Sequence, residues 1–183
     1  RSTSNTRRRV AASEAARLIS PFNPAWSSMT QQIQFEAIAT LYIQAPVHVQ
    51  LPHPMLALIS SQLAPAQFVF DRGQICHEAN TPGLMAFVVS AVRENKETLE
   101  LQVMQQAQDL LQTLKYPHQD IAGLQLIQTV VEKRATFACT PHLQRPSATP
   151  YPRLSVCGDY IEGPYPATLE GAVMSGIQAI FRA

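Results

Sequence analysis

The chain has 183 residues, of which 46% are apolar and 15% charged, and its formal net charge is +1. That length suits a single domain with a real core, and the near-neutral charge removes the electrostatic case for nucleic acid as a partner. Three cysteines without C-x-x-C spacing (Cys76, Cys139, Cys157) argue against a disulfide framework and point to a reducing compartment.

No metal site is predicted either. The five histidines are scattered, and Cys76-His77, the nearest approach to a ligand pair, falls short of the four ligands a structural zinc takes. No run reaches the ~18–20 apolar residues of a membrane span, and the first residues do not read as a signal peptide. The expected location is cytoplasmic, and a peripheral membrane contact is compatible with it.

Residues 1–10, with Arg7-Arg8-Arg9 among Ser, Thr and Asn, read as a disordered, solvated tail. Residues 11–19 predict a short helix stopped by Pro21 and Pro24. From Ile33 to Gln44 the odd positions Ile33, Phe35, Ala37, Ala39, Leu41 and Ile43 are all apolar, which predicts a strand with one buried face. Prolines 46, 52 and 54 then break the chain. Met55 to Ile59 is an apolar run, residues 67–73 read as a strand ending in a turn, and residues 83–92 as a near-continuous apolar strand. Leu99, Val103, Ala107, Leu110, Leu111 and Leu114 mark an amphipathic helix over 98–114, closed by Pro117. Residues 124–138 read as a strand, and 145–152, with three prolines, as an extended connection. The sum predicts an α/β fold, a largely antiparallel or mixed sheet backed by helices.

The stretch from Leu154 to Val173 is the most informative. Leu154-Ser155-Val156 predicts a short strand, Gly158-Asp159 a corner, Gly163-Pro164 a loop, and Pro166 a first helical position. On the helix, Gly171, Ser175 and Ala179 make a flank nearly bare of side chains, and Leu169, Val173, Ile177 and Ile180 make an apolar face. A glycine inside a helix costs about 1 kcal/mol relative to alanine. Gly171 and Gly176 therefore predict something packed close, either a sheet backbone or a flat cofactor. The plainer reading is a tight strand–helix packing with no ligand, and for Asp159 a turn or helix cap.

The segment Gly158-Asp159-Tyr160, then residues 163–173, then Ser175-Gly176, resembles the C-terminal FAD signature of the flavin amine oxidase and phytoene desaturase superfamily. Residues 133–141 with Arg145-Pro146, and Phe68-Val69-Phe70-Asp71-Arg72-Gly73, are similar to blocks of one branch, the squalene-associated FAD-dependent desaturases or hydroxysqualene dehydroxylases. The resemblance implies a substrate-binding domain over 11–152, with a mixed sheet and an apolar cavity over the flavin. It implies a C-terminal FAD-binding strand–loop–helix over 153–183. Gly158, Asp159, Pro166, Ala167, Thr168 and Leu169 would lie along FAD, with Asp159 facing its ribityl and pyrophosphate part. Met55, Leu56, Phe68, Phe70, Met85 and Phe87 are candidates to line an isoprenoid channel, though each residue type is more often plain core. No catalytic acid–base pair or nucleophile stands out, and Cys157 reads as a small buried strand residue.

The G-x-G-x-x-G half of a Rossmann-type FAD site is missing from the sequence. The chain is therefore expected to be a fragment that holds FAD weakly, with an uncovered strand at 154–156 that pairs with a neighbouring chain or is poorly ordered. Two alternatives stay open: a flavin amine oxidase fragment, and a non-catalytic lipid-binding or interaction module.

Overall fold

The computed structural model describes residues 10–75 and 81–181. The arginine run of the tail and Cys76-His77 lie outside the described residues. The chain divides between Phe35 and Glu36, and again between Ala135 and Thr136, into two compact units. The fold is mixed α/β, as its periodicities predict.

The inner unit holds a five-stranded sheet in the order β2-β3-β4-β1-β5. Its strands are β1 (Phe35–Gln44), β2 (Met55–Ala57), β3 (Phe68–Asp71), β4 (Leu84–Ser90) and β5 (Gln125–Phe137). The β2–β3, β3–β4 and β4–β1 pairs are antiparallel. Register aligns Leu56, Val69, Phe87 and Leu41 in one row across four strands. Because strand side chains alternate, that row shares a face with Met85, Ile43, Ala39 and Val89. The helix α4 (Lys96–Thr113) covers this face with Leu99, Val103, Ala107 and Leu111, all at most 1% exposed. Asn95 caps α4, its side-chain oxygen accepting from the Thr98 amide at 2.9 Å.

Asp71, at the end of β3, is buried. Its carboxylate accepts from the Leu51 amide (2.9 Å) and from Gln74 Nε2 (2.8 Å), and so fixes the loop before β2 to the short helix α3 (Arg72–Ile75). This helix replaces the turn predicted at residue 73. A further short helix, α5 (His118–Ala122), presents the buried Asp120, which bonds His48 Nε2 at 3.0 Å.

The outer unit joins the N-terminal helices to everything after β5. The helix α1 (Ala12–Ile19) is as predicted, but Pro24 starts a helix rather than ending one. α2 (Pro24–Gln31) is capped by Asn23, whose side-chain oxygen accepts from the Trp26 amide at 2.9 Å, and proline is at home where no amide partner is needed. Trp26, Ile33, Phe137, Tyr160 and Ile161 form the core of this unit with Ala12, Ala15 and Ile19. Two side chains of the N-terminal segment tie it to the proline-rich connection. Trp26 Nε1 donates to the Ser147 carbonyl (2.8 Å) and Asn23 Nδ2 to that of Pro150 (2.9 Å). Residues 136–152 group with the C-terminal helix in one compact unit.

Candidate functional site

The C-terminal stretch departs from its prediction in three places. Leu154 forms an isolated bridge with Tyr151 and residues 155–157 are irregular, so the strand expected at 154–156 is not made. Proline-rich neighbours hold this segment instead. The Val156 amide donates to the Ala148 carbonyl (2.8 Å) and the Glu162 amide to that of Pro146 (3.0 Å), and Arg145 Nη1 donates to the Ile161 carbonyl at 2.9 Å while its Nη2 donates to that of Gly163. Pro166 is exposed, and α6 (Leu169–Phe181) begins three residues later. Thr168 is its cap: the hydroxyl accepts from the Gly171 amide (3.0 Å) and donates to the Tyr165 carbonyl (2.9 Å). Cys157 is exposed rather than buried.

The bare flank of α6 is closed by the chain itself. A side chain at Gly171 would run into the Tyr165 carbonyl. One at Gly158 would meet the Tyr160 ring at 2.7 Å. Both backbone polar groups of Gly158 are engaged by Ser175: its amide donates to Ser175 Oγ (2.9 Å), and its carbonyl lies 3.1 Å from the same hydroxyl. Only at Gly176, of these three, is the space within 4 Å open. Gly158 and Gly171 thus meet close approaches within the chain, and Gly176 does not.

The apolar face of α6 is uncovered. Leu169, Val173, Ile177 and Ile180 are 50–88% exposed, and Ser175 is the buried residue of the helix among those described. Around the helix start, the amides of Thr168, Leu169 and Glu170 donate to no described group, and the dipole there favours an anion. Ala167 stands beside them at φ 55, in the left-handed region. The half-buried Asp159 carboxylate has no hydrogen-bond partner among the described residues, so the cap role is not taken up. Its charge, with that of Cys157, adds to burial in pushing the Tyr160 phenol up to about 12, burial being the larger cause. These groups fit part of a flavin dinucleotide: amides for its phosphates and a carboxylate for a hydroxyl.

The six apolar candidates separate onto the two faces of the sheet. Leu56, Met85 and Phe87 lie on the α4 side; Met85 and Phe87 are sealed in its core, and half-buried Leu56 packs against it. Met55, Phe68 and Phe70 lie on the other side, which no helix of this unit covers with a buried cluster. There the register makes one row of Met55, Phe70, Ala86 and Tyr42, and a second of Ala57, Phe68, Val88 and Thr40. Four strands at the usual spacing make each row about 14 Å long. Met55 is 49% exposed and Phe68 39%. The side chains of this patch carry no charge, and their polar atoms are the hydroxyls of Tyr42 and Thr40. Sequence reasoning missed Tyr42, Ala86 and Val88, although cross-strand register from Phe70 and Phe68 would have found them. Two open grooves of about 550 Å³ each, one beside α2 and residues 140–144 and one beside Ala45, Pro46 and Gly123, contain none of the predicted site residues.

The sequence matches the profile of flavin containing amine oxidoreductases over residues 9–179. Two solved structures are similar in fold. One is an oxidoreductase from Methanosarcina mazei, 15% identical with a TM-score of 0.52 over 88% of this chain and 38% of that one. The other, from Exiguobacterium sp. 255-15 and described as a "Putative protoporphyrinogen oxidase", is 13% identical with a TM-score of 0.55 over 94% of this chain and 40% of that one. The chain thus spans about two fifths of the length of either. No curated protein matches it.

Proposed function

We propose that this chain, which belongs to the flavin containing amine oxidoreductase family, forms the substrate-binding part and the closing helix of an FAD-dependent oxidoreductase acting on a squalene-type isoprenoid. The observation that carries this reading is the sheet face away from α4, two rows of uncharged side chains that are exposed at Met55, Ala57 and Phe68 and half-buried or buried beyond them. Such a surface rewards a long hydrocarbon by area and offers a charged substrate no counter-charge within its two rows.

FAD supplies the hydride and electron chemistry when bound. This chain's own contribution is to bind, orient and keep water out. Met55, Phe68, Phe70, Ala86 and Val88 would lie along the hydrocarbon, and the hydroxyls of Thr40 and Tyr42 would orient an alcohol. Asp159 would accept from a ribityl hydroxyl, and the free amides of Thr168, Leu169 and Glu170 would meet the pyrophosphate. The exposed apolar face of α6 would be covered by the remainder of the flavin-binding part.

In dehydroxylation, hydroxysqualene loses its hydroxyl as water and gains one hydrogen, consuming two electrons and two protons. Desaturation of a related polyene would run electrons the other way. The test is reoxidation of the reduced flavin in the intact protein by hydroxysqualene, with product identified by mass spectrometry. Phe70→Asp should lower kcat/KM by roughly tenfold or more while leaving the flavin spectrum intact. No reoxidation by any polyene alcohol, and no reduction by polyenes, would overturn the substrate assignment. An amine is the second reading, favoured by Tyr42 and Phe70 flanking Ala86 in one row, as aromatic faces attract cations; flavin reduction by amines would select it.

A further inference from the structure

The connection between β2 and β3 presents aliphatic side chains to solvent in a held conformation. Residues 59–63 are all exposed, Ile59 at 97% and Leu63 at 77%. The loop is nonetheless anchored. Leu58 N donates to the Gln67 carbonyl (2.8 Å), and Ser61 and Ala64 exchange backbone bonds of 2.9 and 3.3 Å across the tip. At the base, Gln106 of α4 grips Ala66 twice at 2.9 Å, accepting from its amide and donating to its carbonyl. Pro65 and Ala66 are buried. No Asp, Glu, Lys or Arg occurs anywhere between Glu36 and Asp71.

We propose that this tip docks the protein on a lipid bilayer, with Ile59 and Leu63 inserted at the level of the acyl chains. Single exposed aliphatics are ordinary on a soluble surface, but two at one protruding tip, within a chargeless stretch, are not. The tip lacks the aromatic and arginine anchors typical of protein interfaces. It carries no charge to desolvate, its turn is held by the bonds between Ser61 and Ala64, and the exposed Ser60, Ser61 and Gln62 between the two aliphatics keep polar contact with the headgroups.

The placement gives the docking a purpose. Ala57 and Phe68, the last pair of the β2–β3 hairpin before the loop, belong to the open apolar face, so the tip stands at the end of that face. A lipid-soluble molecule could pass from bilayer to sheet along apolar surface. That use rests on the isoprenoid reading; the docking does not.

The experiment is flotation of the intact protein with neutral phosphatidylcholine vesicles at about 0.05 and 0.5 M NaCl, where screening differs strongly. Equal binding at both salts is expected, because insertion by uncharged side chains is not screened. The double variant Ile59→Ser, Leu63→Ser should lower the bound fraction by roughly tenfold. Its circular dichroism and Tm should be unchanged, since both side chains are already exposed. Leu101→Ser in α4, another exposed aliphatic, should float like wild type. The proposal is overturned if wild type stays in the soluble fraction, if it floats only with anionic vesicles at low salt, or if the loop variant floats as well as wild type. Because the readout is vesicle binding, a failure of flavin turnover with isoprenoids leaves this result untouched.

Discussion

In the sheet, Leu41, Val69, Phe87 and Met85 are sealed beneath α4 at no more than 1% exposure, whereas in α6 Leu169, Val173, Ile177 and Ile180 stand 50–88% exposed. Both sets show the periodicity of a buried face. The difference is where the covering layer lies. For the sheet it lies in the same chain, as Leu99, Val103, Ala107 and Leu111 of α4. For α6 no described residue supplies it, and the helix instead packs its small-residue flank against its own loop at Tyr165 and Gly158. An apolar stripe therefore reports that a partner surface is wanted without saying which polypeptide provides it.

The largest expected effect lies on the sealed side of that contrast. Phe87→Ala should destabilise the inner unit by about 3–5 kcal/mol in urea denaturation, since it empties a fully buried aromatic site. Phe70→Ala, on the open face, should cost clearly less; equal losses would mean that the open face is core as well. In α6 the two glycines should respond in opposite directions. Gly171→Ala drives a methyl into the Tyr165 carbonyl and should destabilise the protein by about 1–3 kcal/mol. Gly176→Ala has open space around it and should stabilise by up to about 1 kcal/mol through helix propensity alone. A destabilising Gly176→Ala would show that a layer covers that flank too.

The smallest effects concern charge. Asp159→Asn should leave thermal stability unchanged within about 0.5 kcal/mol, as a partly exposed group with no hydrogen-bond partner among the described residues, while weakening flavin retention in the intact protein. Tyr160 is neutral when protonated, and its folded-state pKa stands above the ordinary phenol value, at about 12. The folded state therefore holds that proton more tightly than the unfolded chain. Its contribution is complete below about pH 10 and is lost as pH rises through about 12. Tyr160→Phe should remove that part of the alkaline fall in Tm and the tyrosinate absorbance step that accompanies it.

Much of the inner unit was legible in the sequence because each signal had a local cause. Apolar residues at every odd position from Ile33 to Ile43 gave β1, and the change of period after residue 98 gave α4. What failed had causes that sequence spacing does not carry. Pro24 reads as a breaker, yet with Asn23 before it serves as a helix start. Leu154-Ser155-Val156 has strand composition, but prolines 146, 150 and 152 and the grip of Arg145 leave it no ladder to join. Gly171 signalled close approach correctly and Gly176 did not, and only coordinates could show that the group approaching Gly171 is the Tyr165 carbonyl. For the substrate candidates, residue type alone could not separate Phe70 from Phe87. The register that sets them on opposite faces comes from the β3–β4 pairing, which aligns Phe70 with Ala86 and Val69 with Phe87.

The most direct test of the account is photo-crosslinking of the intact protein with a diazirine-bearing squalene analogue, mapped by mass spectrometry. Label on Met55, Phe68, Phe70, Val88 or Tyr42, competed away by unlabelled hydroxysqualene, is the predicted result. Label that avoids these residues, or that squalene does not compete, would contradict it.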